Sequence, residues 1–339
     1  MLNKKNLSLE QQLDKLKDQR KGPYLSYNPV SATQIWQWCS AMGDHNPRYS
    51  PGNDQVAPPA MMQMWTMRDI NDRYAPDSTN ARPYHVFDEM SAMGYSSNVA
   101  VSYDINFHRD LHISERVKHY TTIVNISDKK STALGEGFFI TERVEYLTFD
   151  EKSFADARIT YFQYQPVEAK FEAETQRHNE RLSVGLPPVK GQASEQNDYT
   201  DIEISALHVG DRLPEVVIPI THRLVVGGAL ATQDFTPVHH NACVARAAGM
   251  PDIFMNILTT SGLSARYLGD WAGANSRLKK LQFDLRAPNL PGDVMIMAGE
   301  VVAVTAQPSA CSVTVAFTGK NSLGMHISGS AMLVLPGEK

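Results

Sequence analysis

Two similar segments, far apart in the chain, most constrain how these 339 residues can fold. Residues 44–49 read DHNPRY and residues 234–239 read DFTPVH, so each has an aspartate five positions before a ring-bearing residue, with a proline between them. A polar stretch between them, rich in Glu, Lys, Gln and Asn, has little to bury and is typical of a linker. The repeat therefore predicts two parts of similar plan, as gene fusion or duplication would produce.

The second segment carries the more reactive pair, Asp234 and His239. A carboxylate and an imidazole on either side of a water can orient it and exchange its proton, which is the minimum equipment for hydrating an activated double bond. The alternative is that Asp234 caps a turn while His239 lies on the surface. In the first segment Tyr49 replaces the histidine, and a phenol is a poor base at neutral pH. Asp44 is then expected to hold a turn rather than to catalyse.

Composition excludes several classes of function. Hydrophobic residues make up 42% and charged residues 20%, which predicts a packed globular protein, and the net charge of −5 disfavours a nucleic-acid partner. The three cysteines share no ligand-like spacing, and His240 lacks an acidic third ligand, so no metal site is expected. No window approaches 18 apolar residues and residue 1 opens no secretory signal, so we expect a cytoplasmic protein with no membrane partner.

Residues 43–49, which read GDHNPRY, resemble the signature of a known family. The segment resembles the G-D-x-N-P-x-H signature of the MaoC-like hydratases at every position but the last. Residues 233–239 restore the histidine, with Gln233 in place of glycine and Thr236 in place of asparagine. Residues 38–44, 57–61 and 252–258 look like the two-subunit enoyl-CoA hydratases of steroid side-chain degradation, here fused in one chain.

The resemblance implies an α+β fold, a double hot dog in which two antiparallel sheets each wrap around a central helix. Period-two apolar patterning over residues 98–164 and 281–335 agrees with antiparallel strands. We expect residues 1–165 to form a degenerate half that houses the acyl group, residues 166–200 a linker, and residues 201–339 the catalytic half.

The resemblance also implies roles for individual residues. Asp234 and His239 are the expected catalytic pair, held by a turn containing Thr236 and Pro237. The start of the central helix is expected to offer backbone N–H groups to the thioester oxygen. The further candidates, grouped by role, are Phe254 and Met255 for these N–H groups, Met61, Met64 and Trp65 for the acyl pocket, and Arg277, Lys279 and Lys280 for coenzyme A phosphates.

Each group has a plainer alternative. Phe254 fits core packing equally well, the methionines are typical of a core as well as of an adaptable pocket, and the cationic residues suit a solvated strand entrance.

The function implied is reversible hydration of a 2-enoyl-CoA thioester to a 3-hydroxyacyl-CoA, with a bulky acyl group of the steroid or bile-acid side-chain type. No cofactor is expected, because coenzyme A belongs to the substrate. A homodimer and contact with a downstream aldolase or dehydrogenase are further expectations. Two alternatives remain: a non-catalytic acyl-CoA-binding scaffold, and a hot-dog thioesterase that would release free thiol.

Overall fold

A computed structural model describes residues 9–52, 54–132, 134–166, 180, 198–307 and 310–337. Within them, eleven strands pair antiparallel into one continuous sheet. The strands are β1 (Lys21–Leu25), β2 (Ser97–Phe107), β3 (Val117–Ile126), β4 (Lys130–Ser131), β5 (Gly135–Thr148), β6 (Ser153–Pro166), β7 (Arg212–Ile220), β8 (Arg277–Leu285), β9 (Asp293–Gln307), β10 (Ala310–Asn321) and β11 (Gly324–Pro336). The helices are α1 (Leu9–Asp14), α2 (Ala32–Met42), α3 (His85–Ala92), α4 (His222–Ala231), α5 (Ala242–Ala247) and α6 (Ile257–Ala272).

The sheet consists of two halves with the same strand path. Its order is β1-β3-β5-β6-β2 followed by β8-β11-β10-β9-β7, and β4 pairs with β5 at the side. The second half thus repeats the path of the first in reverse, and the halves join where β2 pairs with β8. This is the two-part architecture that the repeated segments predict, and it has the α+β class that the resemblance implies.

Strand β10 illustrates why these segments become strands. Cys311, Val313, Val315 and Phe317 are buried, and the residues between them are partly exposed. Because successive side chains point to opposite faces of a strand, this alternation buries one face against the core.

Helix α6 is buried on nearly every side beneath the second half. It contacts α2 and α4, and its small residues allow those helices to approach closely. A Cβ at Gly262 would lie 2.9 Å from the ring of Trp38, and a Cβ at Gly228 of α4 would lie 2.4 Å from Oγ1 of Thr259. Gly228 therefore marks close helix packing.

The first half differs from the expectation of one central helix per half. The stretch that corresponds to α6 contains two single 3₁₀ turns, Pro59–Met61 and Met64–Thr66, and then the eight-residue helix α3. Prolines at 58, 59, 76 and 83 interrupt this stretch, and proline removes the N–H that a helix interior requires.

The predicted linker, residues 166–200, lies almost entirely outside the described residues, so the domain boundaries stay a prediction. In the part of the chain that the structure describes, no helix has the length and apolar character needed to cross a membrane.

Adjacent glycines in α4 provide a matched test of this packing. Gly228→Ala is expected to lower the free energy of unfolding by about 1–3 kcal/mol, because the new methyl group overpacks the contact with Thr259. Gly227→Ala is expected to raise it by about 0.5–1 kcal/mol, because nothing lies within 4 Å of a Cβ there and alanine favours helix. Urea unfolding of both variants measures this difference, and equal effects would contradict the close packing.

Candidate active site

The two repeated segments fold alike. Each follows a helix, α2 or α4, and each contains a 3₁₀ turn, Pro47–Tyr49 or Pro237–His239. The backbone N–H of each aspartate donates to the carbonyl oxygen five residues earlier, at 2.9 Å from Asp44 and 2.9 Å from Asp234. The similarity of sequence therefore reflects the same local backbone in both halves.

Gln233 replaces the glycine of the first segment without changing this backbone. Gly43 has φ 65° and Gln233 has φ 54°, so both lie in the left-handed region. A Cβ at Gly43 would lie 2.8 Å from Nη1 of Arg266, so a larger residue there would displace this guanidinium. At Gln233 the left-handed conformation costs about 1–2 kcal/mol, which the hydrogen bonds of the turn offset.

Thr236 holds the carboxylate of Asp234 within the turn. Its hydroxyl donates to Oδ1 of Asp234 at 2.6 Å, and its backbone N–H donates to the same oxygen at 3.3 Å. Pro237 begins the 3₁₀ turn that carries His239. The structure thus places the four residues of the predicted turn together.

His239 is buried and faces Asp234. Its Nδ1 lies 2.8 Å from the carbonyl oxygen of Phe254, which can only accept, so Nδ1 carries a proton. In the neutral ring Nε2 then has a free lone pair, and it lies 3.4 Å from Oδ2 of Asp234. Two acceptors so close together favour a shared proton or a water that donates to both, which is the arrangement needed to orient a nucleophilic water.

Asn256 completes the pair and was missed in the sequence. Its Nδ2 donates to Oδ2 of Asp234 at 2.9 Å and to Oγ1 of Thr232 at 2.8 Å. Its Oδ1 accepts from the N–H of Thr259 at 2.8 Å, so Asn256 is also the N-cap of α6. An asparagine directly before an apolar helical run is the signal that predicts such a cap.

The surroundings of Asp234 favour its charged form. Burial raises the pKa of this carboxyl, but hydrogen bonds and charge from His239, with the donors of Thr236 and Asn256, outweigh burial and hold the pKa well below its usual range. Asp234 therefore acts as a fixed anion at neutral pH.

The corresponding carboxyl of the first half has the opposite environment. Asp44 accepts the N–H of Asn46 at 3.0 Å, yet burial raises its pKa to about 6. Tyr49 is in the place of the histidine, and burial raises the pKa of its phenol well above the usual value. The cavity beside Tyr49 has a volume of about 50 Å³. The first half thus has neither the histidine nor room for a large ligand at this place.

A cavity of about 1020 Å³ opens at Asp234 and His239. It extends between the halves to residues of the first half, including Tyr74, Tyr84 and Tyr161. This volume lies at the upper end of the usual range for small-molecule sites.

The predicted acyl-pocket residues are displaced from this cavity. Met61 and Met64 are buried in the core, and Trp65 lines the small cavity beside Tyr49. Gln63 and Met67 line the large cavity instead. The predicted segment, residues 61–65, does lie near the site. The predicted side chains are the wrong ones, because the 3₁₀ turns direct residues 61 and 64 into the core.

The predicted phosphate contacts also lie elsewhere. Arg277 and Lys279 line the small cavity, where Nε of Arg277 pairs with Asp110 at 3.1 Å, and Lys280 pairs with Asp104 at 3.1 Å. The structure does not bring these cations to the cavity of Asp234, because β8 presents them to the first half. Arg286, just after β8, lines the large cavity and was not predicted.

The helix that begins near the site starts later than expected. The N–H of Met255 donates to the carbonyl oxygen of Asn289 at 3.0 Å, and Phe254 supplies its carbonyl oxygen to His239 and packs its ring edge-on against the imidazole. Helix α6 begins at Ile257, so the N–H groups of Ile257 and Leu258 belong to its first turn and have no intrahelical partner. Both residues line the large cavity. The predicted N–H of Met255 is thus already bonded, whereas the N–H groups of Ile257 and Leu258 lie in the first turn of the helix, and the role predicted for the N–H of Phe254 stays a prediction.

Among the described residues, no group of three His, Cys, Asp or Glu side chains is placed to hold a metal ion.

Comparison with known proteins identifies relatives of this site and fold. No family model matches the chain. It is 40% identical over 125 residues to the 3-oxo-4,17-pregnadiene-20-carboxyl-CoA hydratase beta subunit of Mycobacterium tuberculosis, covering 37% of this chain and 94% of that subunit. It is 34% identical over 139 residues to the alpha subunit of the same hydratase, covering 38% of this chain and 43% of that subunit.

A solved MaoC-like dehydratase covers 96% of this chain and all of its own, with a TM-score of 0.70 at 17% identity. This likeness confirms the hot-dog fold predicted from the sequence.

The two aspartates are expected to respond to pH with opposite signs. The pKa of Asp44 in the folded protein, about 6, exceeds its ordinary value of 3.8, so its contribution to stability is present below pH 4 and is lost as the pH rises through 6. Asp44→Asn removes this loss, which amounts to at most about 3 kcal/mol, so the variant gains stability relative to wild type from pH 4 to pH 7. Asp234→Asn is expected to lose stability relative to wild type at pH 7, with a deficit that shrinks as the pH falls below 4, because the folded pKa of Asp234 is depressed.

Urea unfolding from pH 3 to 7 measures both trends. Curves for the two variants that run parallel to each other would contradict the difference between the halves.

Proposed function

The chain belongs to the MaoC-like hydratase and dehydratase family, and from this premise we propose that it is a lyase that reversibly hydrates a 2-enoyl-CoA thioester to a 3-hydroxyacyl-CoA. The observation that carries the proposal is the facing pair Asp234 and His239, with Nε2 3.4 Å from Oδ2, at the wall of a large cavity and beside the start of α6. The names of the relatives, which are enoyl-CoA hydratase subunits, support the same reaction.

In the proposed mechanism, the carboxylate and the imidazole hold one water over C3 of the substrate. The bond between Nδ1 and the Phe254 carbonyl leaves the Nε2 lone pair of His239 available, so His239 removes the water proton. Asp234 is too weakly basic for that role, because its surroundings hold its pKa well below the usual range, so it stays an anion that orients the water. The imidazolium formed at His239 then gives up the water proton to C2, relayed through Oδ2 of Asp234, which lies 3.4 Å from Nε2. The two groups exchange protons within one coupled pair.

Negative charge develops on the thioester oxygen as water adds to C3. The first turn of α6 supplies N–H groups and the positive end of the helix dipole at the cavity wall. We assign the N–H groups of Ile257 and Leu258 to this oxygen.

The acyl group is proposed to be bulky and ring-bearing. The large cavity reaches the first half, where 3₁₀ turns and the short helix α3 replace a long central helix. The relative's name, which specifies a pregnadiene-carboxyl-CoA, supports a steroid-type acyl group. A homodimer and contact with an aldolase or dehydrogenase stay predictions.

Loss of either member of the pair is expected to abolish most of the activity. His239→Ala and Asp234→Asn should each lower kcat for crotonyl-CoA hydration by about 10²–10⁴, the usual contribution of a positioned acid or base. Loss of absorbance at the enoyl-thioester band measures the rate, and a thiol reagent in the same cuvette detects thioesterase activity.

Tyr49→His in the His239→Ala background should restore no activity, because the first half has no cavity for the acyl group beside Tyr49. Activity equal to wild type in His239→Ala would contradict the proposal.

A proline substitution at the first residue of α6 tests the role of the backbone N–H separately from that of the side chain. Ile257→Pro should lower kcat by about 10²–10³, because it removes one N–H at the developing oxyanion. Proline is tolerated as the first residue of a helix, and Asn256 already has the extended ψ of 161° that proline requires before it. Ile257→Ala keeps the N–H and is the matched control. Equal rates for the two variants would assign the oxyanion to another donor.

A further inference from the structure

The end of the large cavity within the first half has polar groups among aromatic rings. Tyr74, Tyr84, Phe87 and Tyr161 line it, together with the amide of Gln63. Asp234 and His239 line the same cavity from the second half. A purely hydrocarbon acyl group would cover the remaining hydrogen-bonding positions of these hydroxyl and amide groups without replacing their water, which is costly.

Tyr161 is held from behind by a buried carboxyl. Its hydroxyl donates to Oε2 of Glu142 at 3.3 Å, and the hydroxyl of Thr121 donates to Oε1. Glu142 is only 2% exposed, and burial raises its pKa to about 7. The nearby cation, Lys21, donates its ammonium to the carbonyl oxygen of Arg82 instead. A buried carboxyl of this kind is tolerated in a protein core when its oxygens take part in a hydrogen-bonded network.

The network continues to the cavity wall. Tyr84 interacts with Tyr161 through its side chain, and burial raises the pKa of both phenols well above the usual value, so both keep their protons. A phenol donates one hydrogen bond and also accepts. In the row formed by Glu142, Tyr161 and Tyr84, the proton of Tyr161 goes to Glu142, so the oxygen of Tyr161 only accepts on its other side. The hydroxyl of Tyr84 can turn its single proton from Tyr161 to a ligand in the cavity.

Gln63 presents a second donor. Its Oε1 accepts from the hydroxyl of Tyr103 at 2.6 Å, which fixes the orientation of the amide. Within the described residues, the partner of its Nε2 is the sulfur of Met67 at 3.8 Å, a weak acceptor. An amide N–H at the cavity wall is thus ready to donate to an oxygen.

We propose that this end of the cavity, lined by Gln63, Tyr84 and Tyr161, binds a neutral oxygen substituent, a ketone or a hydroxyl, on the part of the acyl group remote from the thioester. The inference rests on the proposed function, because it takes the thioester to lie at Asp234 and His239. The neighbouring cations favour a neutral group over an acid, since Arg68 pairs with Asp72 at 3.0 Å and Arg82 pairs with Asp88 at 3.0 Å.

Binding of a matched pair of ligands tests the inference without turnover. The probes are two saturated steroid acyl-CoA thioesters that differ only by a ketone or a methylene at the ring position farthest from the thioester, and calorimetry gives both Kd values. Wild type is expected to bind the ketone at least about 5-fold more tightly, as one or two neutral hydrogen bonds provide. Tyr161→Phe and Gln63→Met should each reduce the ratio of the methylene Kd to the ketone Kd about 3-fold or more. The Tyr84→Phe, Tyr161→Phe double variant should bring this ratio close to 1.

Tyr120→Phe provides the matched control. Tyr120 lies on β3 outside the cavity, where the guanidinium of Arg20 packs over its ring at 3.5 Å, so removal of its hydroxyl should leave the ratio at the wild-type value. Equal affinity of wild type for the two thioesters, or a ratio unchanged in the three cavity variants, would overturn the inference.

Turnover assays with crotonyl-CoA and with the 2-enoyl counterparts of the two steroid thioesters separate this outcome from failure of the proposed function. Turnover of crotonyl-CoA with equal Kd values for the saturated pair means that the chain is a hydratase without the distal oxygen site. A ketone preference with no turnover of any enoyl-CoA supports the distal site and refutes hydration.

Discussion

The hydrogen bonds of Asn256 are the interaction on which the site depends. One side chain caps α6 through the N–H of Thr259 and holds the carboxylate of Asp234 through Nδ2. The start of the buried helix and the catalytic turn are therefore fixed relative to each other by a single amide. Because a displacement of about 1 Å can cost two orders of magnitude in rate, such a shared anchor matters more than its few hydrogen bonds suggest.

The two halves share a backbone but differ in what they bury. In the second half a carboxylate is surrounded by donors and stays charged beside His239. In the first half the equivalent Asp44 is largely desolvated, and Tyr49 occupies the place of the base. The central helix is likewise kept in one half and replaced by 3₁₀ turns in the other. One half thus keeps the Asp–His pair, and the other contributes the far wall of the large cavity.

This division explains which residues the sequence located. The repeat of D-x4-H and D-x4-Y predicted the two halves, the turn of Asp234 to His239 and the degenerate partner, because five-residue spacing across a proline turn is a local property. The same local reasoning missed Asn256, because the helix was expected to start before this residue and not after it, although an asparagine before an apolar helical run is a cap signal. It also assigned N–H donors to Phe254 and Met255, although the N–H of Met255 is already bonded to Asn289.

The sequence by itself indicated the strands and the two-part plan, through strand alternation and the repeated segment, and it indicated the pair that faces the cavity, while the hot-dog fold followed from the resemblance. Only the tertiary structure decided which side chains line that cavity. Met61, Met64 and Arg277 belong to segments that the resemblance assigns to the substrate, but the direction of their side chains is set by 3₁₀ turns and by the pairing of β8 with β2. Glu142, Tyr161 and Tyr84 come from separate parts of the first half, and no spacing in the sequence relates them. Their meeting depends on long-range strand register, which local patterns do not encode.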